Sequence, residues 1–113
     1  MYNFFIPDED ELKRVIQQTL QGKDDFVDAK VIQTGWTNIT MDVHGVLHDY
    51  IFRFPRNLFF AKMMIKDCTF CNFLKDKVTL PVPDMSLNID QNRPFSVHQK
   101  IVGTPLIARL DNL

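Results

Sequence analysis

Nothing limits the fold of this chain more than the way its apolar residues change period along the sequence. After Pro7 the spacing is helical, and between Val27 and Phe54 it alternates. Between Asn57 and Leu74 it is helical again, and between Met85 and Ile101 alternation returns. A period near 3.6 marks an amphipathic helix and a period of 2 marks a half-buried strand. The predicted order is therefore helix, three strands, helix, two strands, then a helical start over 106–113. Three successive strands with short connections form a meander, and the helix between the third and fourth must cover the sheet. The predicted class is α+β: a five-stranded antiparallel sheet with one packed helix, plus an N-terminal helix. At 113 residues there is room for one domain, and no repeat, low-complexity tract or linker divides it.

The elements can be read residue by residue. The first helix occupies 8–22, with Asp8 as N-cap, Glu11 at the acidic position of a capping box, and Leu12, Val15, Ile16, Thr19 and Leu20 at helical spacing; Gly22 stops it. In the first strand Val27, Ala29 and Val31 alternate with Asp28 and Lys30. A turn follows from Gln33 to Asn38. Ile39, Met41 and Val43 alternate next, and His44-Gly45 punctuates. In the third strand Tyr50, Phe52 and Phe54 face one way while Ile51 and Arg53 face the other, and Pro55 ends it. The second helix, capped by Asn57, aligns Phe60, Met63, Met64, Asp67, Phe70, Cys71 and Leu74 in one stripe; the cluster Phe59, Phe60, Met63 and Met64 is read as mostly core. Leu80-Pro81-Val82-Pro83 must be extended. Met85, Leu87 and Ile89 form the fourth strand, Asp90 to Pro94 a turn, and Phe95, Val97, Gln99 and Ile101 the fifth strand. Gly103-Thr104-Pro105 breaks it, so sheet and helix together span 26–103 and a connection begins at 104–113.

Composition removes several function classes. Hydrophobic residues make up 45% and charged residues 24%, as in an ordinary globular protein. No apolar run approaches the roughly 20 residues of a membrane span, and the first residues lack the basic and apolar regions of a secretory signal. The net charge is −1 with the two signs interleaved, which argues against a nucleic-acid grip. Two cysteines are too few to staple a secreted domain, so a reducing cytoplasm is the expected compartment. Ten Phe and five Met are a generous apolar supply, enough for a core, but a chain this small buries only part of its apolar surface, so some of it is expected to face a partner.

Asp67 is the oddity of the second helix, a carboxylate on an apolar stripe. It needs a cation or an open cleft, and Arg53 on the preceding strand is the natural partner. The pair reads either as an ion pair at a helix rim or as a functional device. A cation on the third strand, held by an acid on the following helix, is how kinases position nucleotide phosphates. Cys68 and Cys71 lie mid-helix, where a redox pair would stand at a helix N-terminus, so core packing is the reading and thiol redox chemistry the weakest rival. His44, His48 and His98 are scattered without ligand spacing; the first two flank a hairpin in water.

The stretch GWTNITMDVHGVLHDYIFRFPR, a helix, then LPVPD and FSVHQKIVGTPL resembles the amino-terminal lobe of the aminoglycoside phosphotransferase and choline-kinase-like family, nearest the aminoglycoside 2''-phosphotransferase and macrolide phosphotransferase branches. The shared pattern is a turn with glycine and asparagine, a basic residue before Phe-Pro, an acid in the next helix, a Pro-x-Pro strand entry and a Gly-x-Pro-Leu hinge. It runs from about Val27 to Leu106. The resemblance implies a nucleotide, ATP or GTP with Mg²⁺, bound beneath the turn Thr34, Gly35, Trp36, Thr37 and Asn38. Arg53 falls where the family has its phosphate-binding cation, and Asp67 where it has the helix glutamate. Ile51 and Ile32 would roof the adenine, His98 would take the gatekeeper position, and the backbones of Gln99 and Ile101 would bond the base. Arginine for lysine and aspartate for glutamate depart from the commonest pair; either the two changes compensate in reach or the site handles ATP poorly.

The family's chemistry resides in a second, mostly helical lobe. Neither a His-x-Asp-x-x-x-x-Asn nor an Asp-Phe-Gly-like pattern occurs here, so the resemblance implies no catalytic or metal-binding residue in this chain and no phosphoryl transfer by the chain alone. The expected function is the nucleotide-binding lobe of a small-molecule kinase, either a natural fragment or a split subunit completed by a catalytic lobe on another chain. The alternative is a non-catalytic interaction module, associating with itself or another protein through the apolar surface that a second lobe would cover. Neither nucleic acid nor membrane is an expected partner.

Overall fold

A computed structural model describes residues 2–33, 38–75, 77 and 85–100. The predicted turn at 34–37, the extended run at 80–83 and everything from Ile101 onward lie outside the described residues. The elements are α1 (Glu9–Leu20), β1 (Phe26–Gln33), β2 (Asn38–Gly45), β3 (Asp49–Pro55), α2 (Leu58–Lys75), β4 (Ser86–Asp90) and β5 (Arg93–Gln99). The strands form one antiparallel sheet in the order β1-β2-β3-β5-β4. The predicted α+β class, with a five-stranded antiparallel sheet and two helices, is the observed one.

Local chemistry explains the helix ends. The Asp8 carboxylate accepts the Glu11 N–H at 2.9 Å, and the Asn57 side chain accepts the Phe60 N–H at 3.1 Å, so each satisfies a donor the helix leaves orphaned. Beyond Leu20 the chain turns through Gly22 at φ +83°, a conformation that favours glycine. The Glu11 carboxylate does not close a capping box; it pairs with Arg14 one turn on.

The two helices cover opposite faces of the sheet. On one face Leu12, Val15, Ile16 and Leu20 of α1 meet Ala29, Ile39, Met41, Val43, Phe52, Phe54, Phe95 and Val97. The rings of Phe52, Phe54 and Phe95 stack there, the last two with centroids 5.2 Å apart. On the other face α2 turns Ala61, Met64, Cys68 and Cys71 inward, the two cysteines packing with Met85.

Several expectations need correction. Val27 does not join the core. The pairing steps from Phe26↔Gly45 to Asp28↔His44, so Val27 is the extra residue of a bulge and is exposed, while Phe26 packs inward. A second shift between Val31 and Gln33 makes Ile32 an exposed extra residue in the same way. The inward face of α2 is rotated from the predicted stripe, of which Met64 and Cys71 are buried as expected. Phe59, Met63 and Phe70 are exposed, and Ala61 and Cys68 take the buried positions. The helix is apolar nearly all round, so periodicity alone could not choose its face. Finally, the β4–β5 connection is a two-residue turn. Gln91 (φ 51°) and Asn92 (φ 62°) are both left-handed, and Arg93 and Pro94 already belong to β5.

Candidate functional site

Alternation along β3 sends Phe52 and Phe54 to the α1 side and Ile51 and Arg53 to the α2 side. Register then decides what stands beside them. Arg53 lies between Thr40 of β2 and Ser96 of β5, and Ile51 lies between Asp42 and His98. One face thus gathers Thr40, Asp42, Ile51, Arg53, Ser96 and His98, all buried except Arg53, which is half-buried.

Asp67 enters from α2, flanking the buried row of Met64, Cys68 and Cys71, and is partly buried. Its charge reaches Arg53. Burial pushes the guanidinium pKa down, and Asp67 followed by the two cysteines pushes it back up. Reciprocally, burial raises the Asp67 carboxyl above its ordinary value and Arg53 lowers it. Helix α2 therefore brings its carboxylate to the side of the sheet where Arg53 stands, and the two couple through space.

His98 is held neutral. Burial, reinforced by the Arg53 charge, brings its pKa from 6.5 to about 4. Its Nδ1 is buried without a hydrogen-bond partner, as are Ser96 Oγ on the same face and Asn38 Oδ1 at the start of β2. Buried polar atoms in native proteins are nearly always satisfied, so such a set marks a place where a ligand or water is needed. Asp42 is satisfied in cis: Lys100 Nζ donates to its Oδ1 at 3.2 Å. Gln99 stands opposite Tyr50, beyond Ser86↔Val97 where the β4 ladder begins, and its side chain meets His48 at 2.9 Å.

The face thus collects Ile51, Arg53, Asp67 and His98 from the sequence-based set, with Asn38 at the strand end next to it. Thr34, Gly35, Trp36, Thr37 and Ile101 lie outside the described residues. Thr40, Asp42, Ser96 and Lys100 were not singled out from the sequence. Strand alternation was the signal for the first three, since each is two or four positions from a residue that was chosen.

The thiols offer little chemistry. Cys68 and Cys71 are free and buried. Burial pushes Cys68 up to about 11 and also raises Cys71, whose Sγ points to Met85 Sδ at 3.4 Å. A thiol so far from ionising is a poor nucleophile. Among the described residues no group of three His, Cys, Asp or Glu converges as a metal site, and no helix is long and apolar enough to cross a membrane. An open cleft of about 300 Å³ lies elsewhere, between the α1–β1 turn (Gly22 to Asp25) and Val46 and Leu47 of the β2–β3 hairpin. It is a by-product of Asp24, whose carboxylate accepts Leu47 N–H (2.9 Å), His48 N–H (3.0 Å) and Tyr50 O–H (3.0 Å) and ties the two turns together.

No family model matches the chain, and no curated protein sequence matches it.

Proposed function

We propose that this chain is the nucleotide-binding lobe of an aminoglycoside-phosphotransferase-like small-molecule kinase, working in the cytoplasm together with a catalytic lobe. The observation that carries the reading is the coupled pair Arg53 and Asp67, set between sheet and helix on the face where Ser96 and His98 present unsatisfied polar atoms. A guanidinium is suited to phosphate because its fork of donors matches phosphate oxygens. Asp67 holds and orients that fork, as the helix acid of a kinase does.

The residues fit a nucleoside triphosphate in outline. Arg53 would hold phosphate oxygens, the turn ending at Asn38 would cover them, and Ile51 and Thr40 would roof the base. His98, neutral and with Nδ1 free to accept or donate, would sit at the back of the base site. The backbones of Gln99 and Ile101 would bond its edge. Mg²⁺, ATP or GTP, and the acceptor hydroxyl would meet a catalytic lobe, which would supply the base and the metal ligands; the part of residues 1–113 is binding and orientation.

The test is calorimetric titration of ATP or GTP with Mg²⁺ into the chain. Binding that falls at least tenfold in Arg53→Ala, with Asp67→Asn weaker than wild type, is the expected result. No heat at millimolar nucleotide would overturn it. One observation favours the alternative of a non-catalytic interaction module: Phe59, Phe70 and Phe73 stand 66%, 48% and 60% exposed on the outer side of α2, an apolar surface unusual for a free helix. Retained self-association or partner binding without nucleotide affinity would support that reading.

A further inference from the structure

A five-stranded open sheet has two edges, and here they are unequally protected. Edge strands are normally blunted by bulges, charge or proline. The β1 edge has all but the last: two bulges, at Val27 and Ile32, and the charges Asp28 and Lys30. The β4 edge, Ser-Leu-Asn-Ile-Asp, has no bulge, no lysine and no proline. Its Leu87 and Ile89 are 40% and 57% exposed on the α2 side.

The ladder fixes which backbone groups point outward. The two-residue turn makes Asp90↔Arg93 a hydrogen-bonded pair, and the pattern alternates from there. Ile89↔Pro94 is consequently a non-hydrogen-bonded pair, which suits a proline without N–H, and Leu87↔Ser96 is another. The N–H and C=O of Leu87 and Ile89 therefore face away from β5, and among the described residues nothing bonds them. These four groups are the open edge.

We propose that β4 is a self-pairing edge, joining a second copy of this chain antiparallel about a two-fold axis through Asn88. The strand is complementary to its own reverse. With Asn88 opposite Asn88 of the second copy, Leu87 faces Ile89 at both ends, and the outward groups meet as two doubly hydrogen-bonded pairs. Every apolar side chain of the strand then lies on one side, under the two α2 helices, and Ser86 lies opposite Asp90. No like charges meet. Asp90, the strand's one ionisable side chain, is already compensated within its own chain by Arg14 at 3.3 Å and Arg93 at 3.9 Å. The chain's net charge of −1 adds little repulsion. A strand of five residues gives a weak association, of the small-interface class.

The test is sedimentation of the full chain over a range of concentrations, with register-specific cross-linking. Asn88→Cys places two thiols in a non-hydrogen-bonded pair with Cα atoms about 4.5 Å apart, within disulfide reach. Mild oxidation is expected to give a covalent dimer with Asn88→Cys and little with Ser86→Cys, which faces Asp90. Leu87→Pro removes an outward N–H and leaves the β5 ladder intact. Ile89→Lys sets a charge against the opposite Leu87. Both are expected to give monomers with unchanged circular dichroism and melting. A wild-type chain that stays monomeric at millimolar concentration overturns the proposal, as does equal cross-linking by Ser86→Cys or a dimer that survives both edge variants. A monomer that takes up an added extended peptide at β4 overturns it too, assigning the edge to a foreign strand.

Discussion

Acid should loosen this protein through His98, and the size of the effect can be worked out. The imidazole is 2% exposed, its Nδ1 has no hydrogen-bond partner, and Arg53 adds repulsion to any positive charge there. Its pKa falls from 6.5 to about 4 on folding. A group whose folded pKa is depressed contributes stability above its unfolded value, and that contribution is lost as pH falls through the folded one. At 1.36 kcal/mol per pH unit, the neutral His98 contributes about 3 kcal/mol at pH 7.5, lost progressively between pH 6.5 and pH 4. Urea unfolding of wild type and His98→Gln across pH 7.5 to 4 checks this, because the other acid-sensitive groups cancel in the difference. The stability difference between the two is expected to move against the wild type by about 3 kcal/mol as pH drops over that window. Arg53→Met should shrink the movement, since part of the depression is its charge. Parallel pH profiles for wild type and His98→Gln would refute the reasoning.

Gly45→Ala is expected to destabilise by about 1–3 kcal/mol in urea unfolding, the usual cost of overpacking. A methyl group there would stand 2.3 Å from Asp24 Oδ2, which accepts from His48 N–H and Tyr50 O–H. The thiols should resist alkylation: at pH 8 iodoacetamide is expected to modify Cys68 in the folded chain far more slowly than in urea, because burial pushes its pKa to about 11. Mass spectrometry of a time course checks it.

Most of the architecture was legible because its elements differ in period and are punctuated by residues with one physical use. Asp8 and Asn57 act as caps and Gly22 as a stop where the sequence placed them, and the run from Tyr50 to Phe54 alternates as written. What escaped were features decided by pairing. A bulge adds one residue and reverses the phase of what precedes it, so Val27 and Phe26 exchanged sides. Two left-handed non-glycine residues, Gln91 and Asn92, close a hairpin that glycine would have announced. On α2, small side chains won the buried face because Ala61 and Cys68 let the helix approach the sheet, and the aromatics were left outside. Of the site, Arg53 and Asp67 were legible as unlike charges one element apart. The unsatisfied atoms of Ser96 and His98 were not, because satisfaction depends on what lies within 3.5 Å in space.

The two faces of the sheet are anchored very differently. Among the described residues, twelve buried apolar side chains of α1 and the sheet interlock on one face, and Cys68, Cys71 and Met85 form a smaller cluster on the other, on the helix that also buries Ala61 and Met64. Were α2 to lift from the sheet with the strands still paired, the loss would fall on this smaller cluster, and local opening of that kind costs less than global unfolding. Such a movement would carry Asp67 away from Arg53 and separate the two charges while the strands stayed paired.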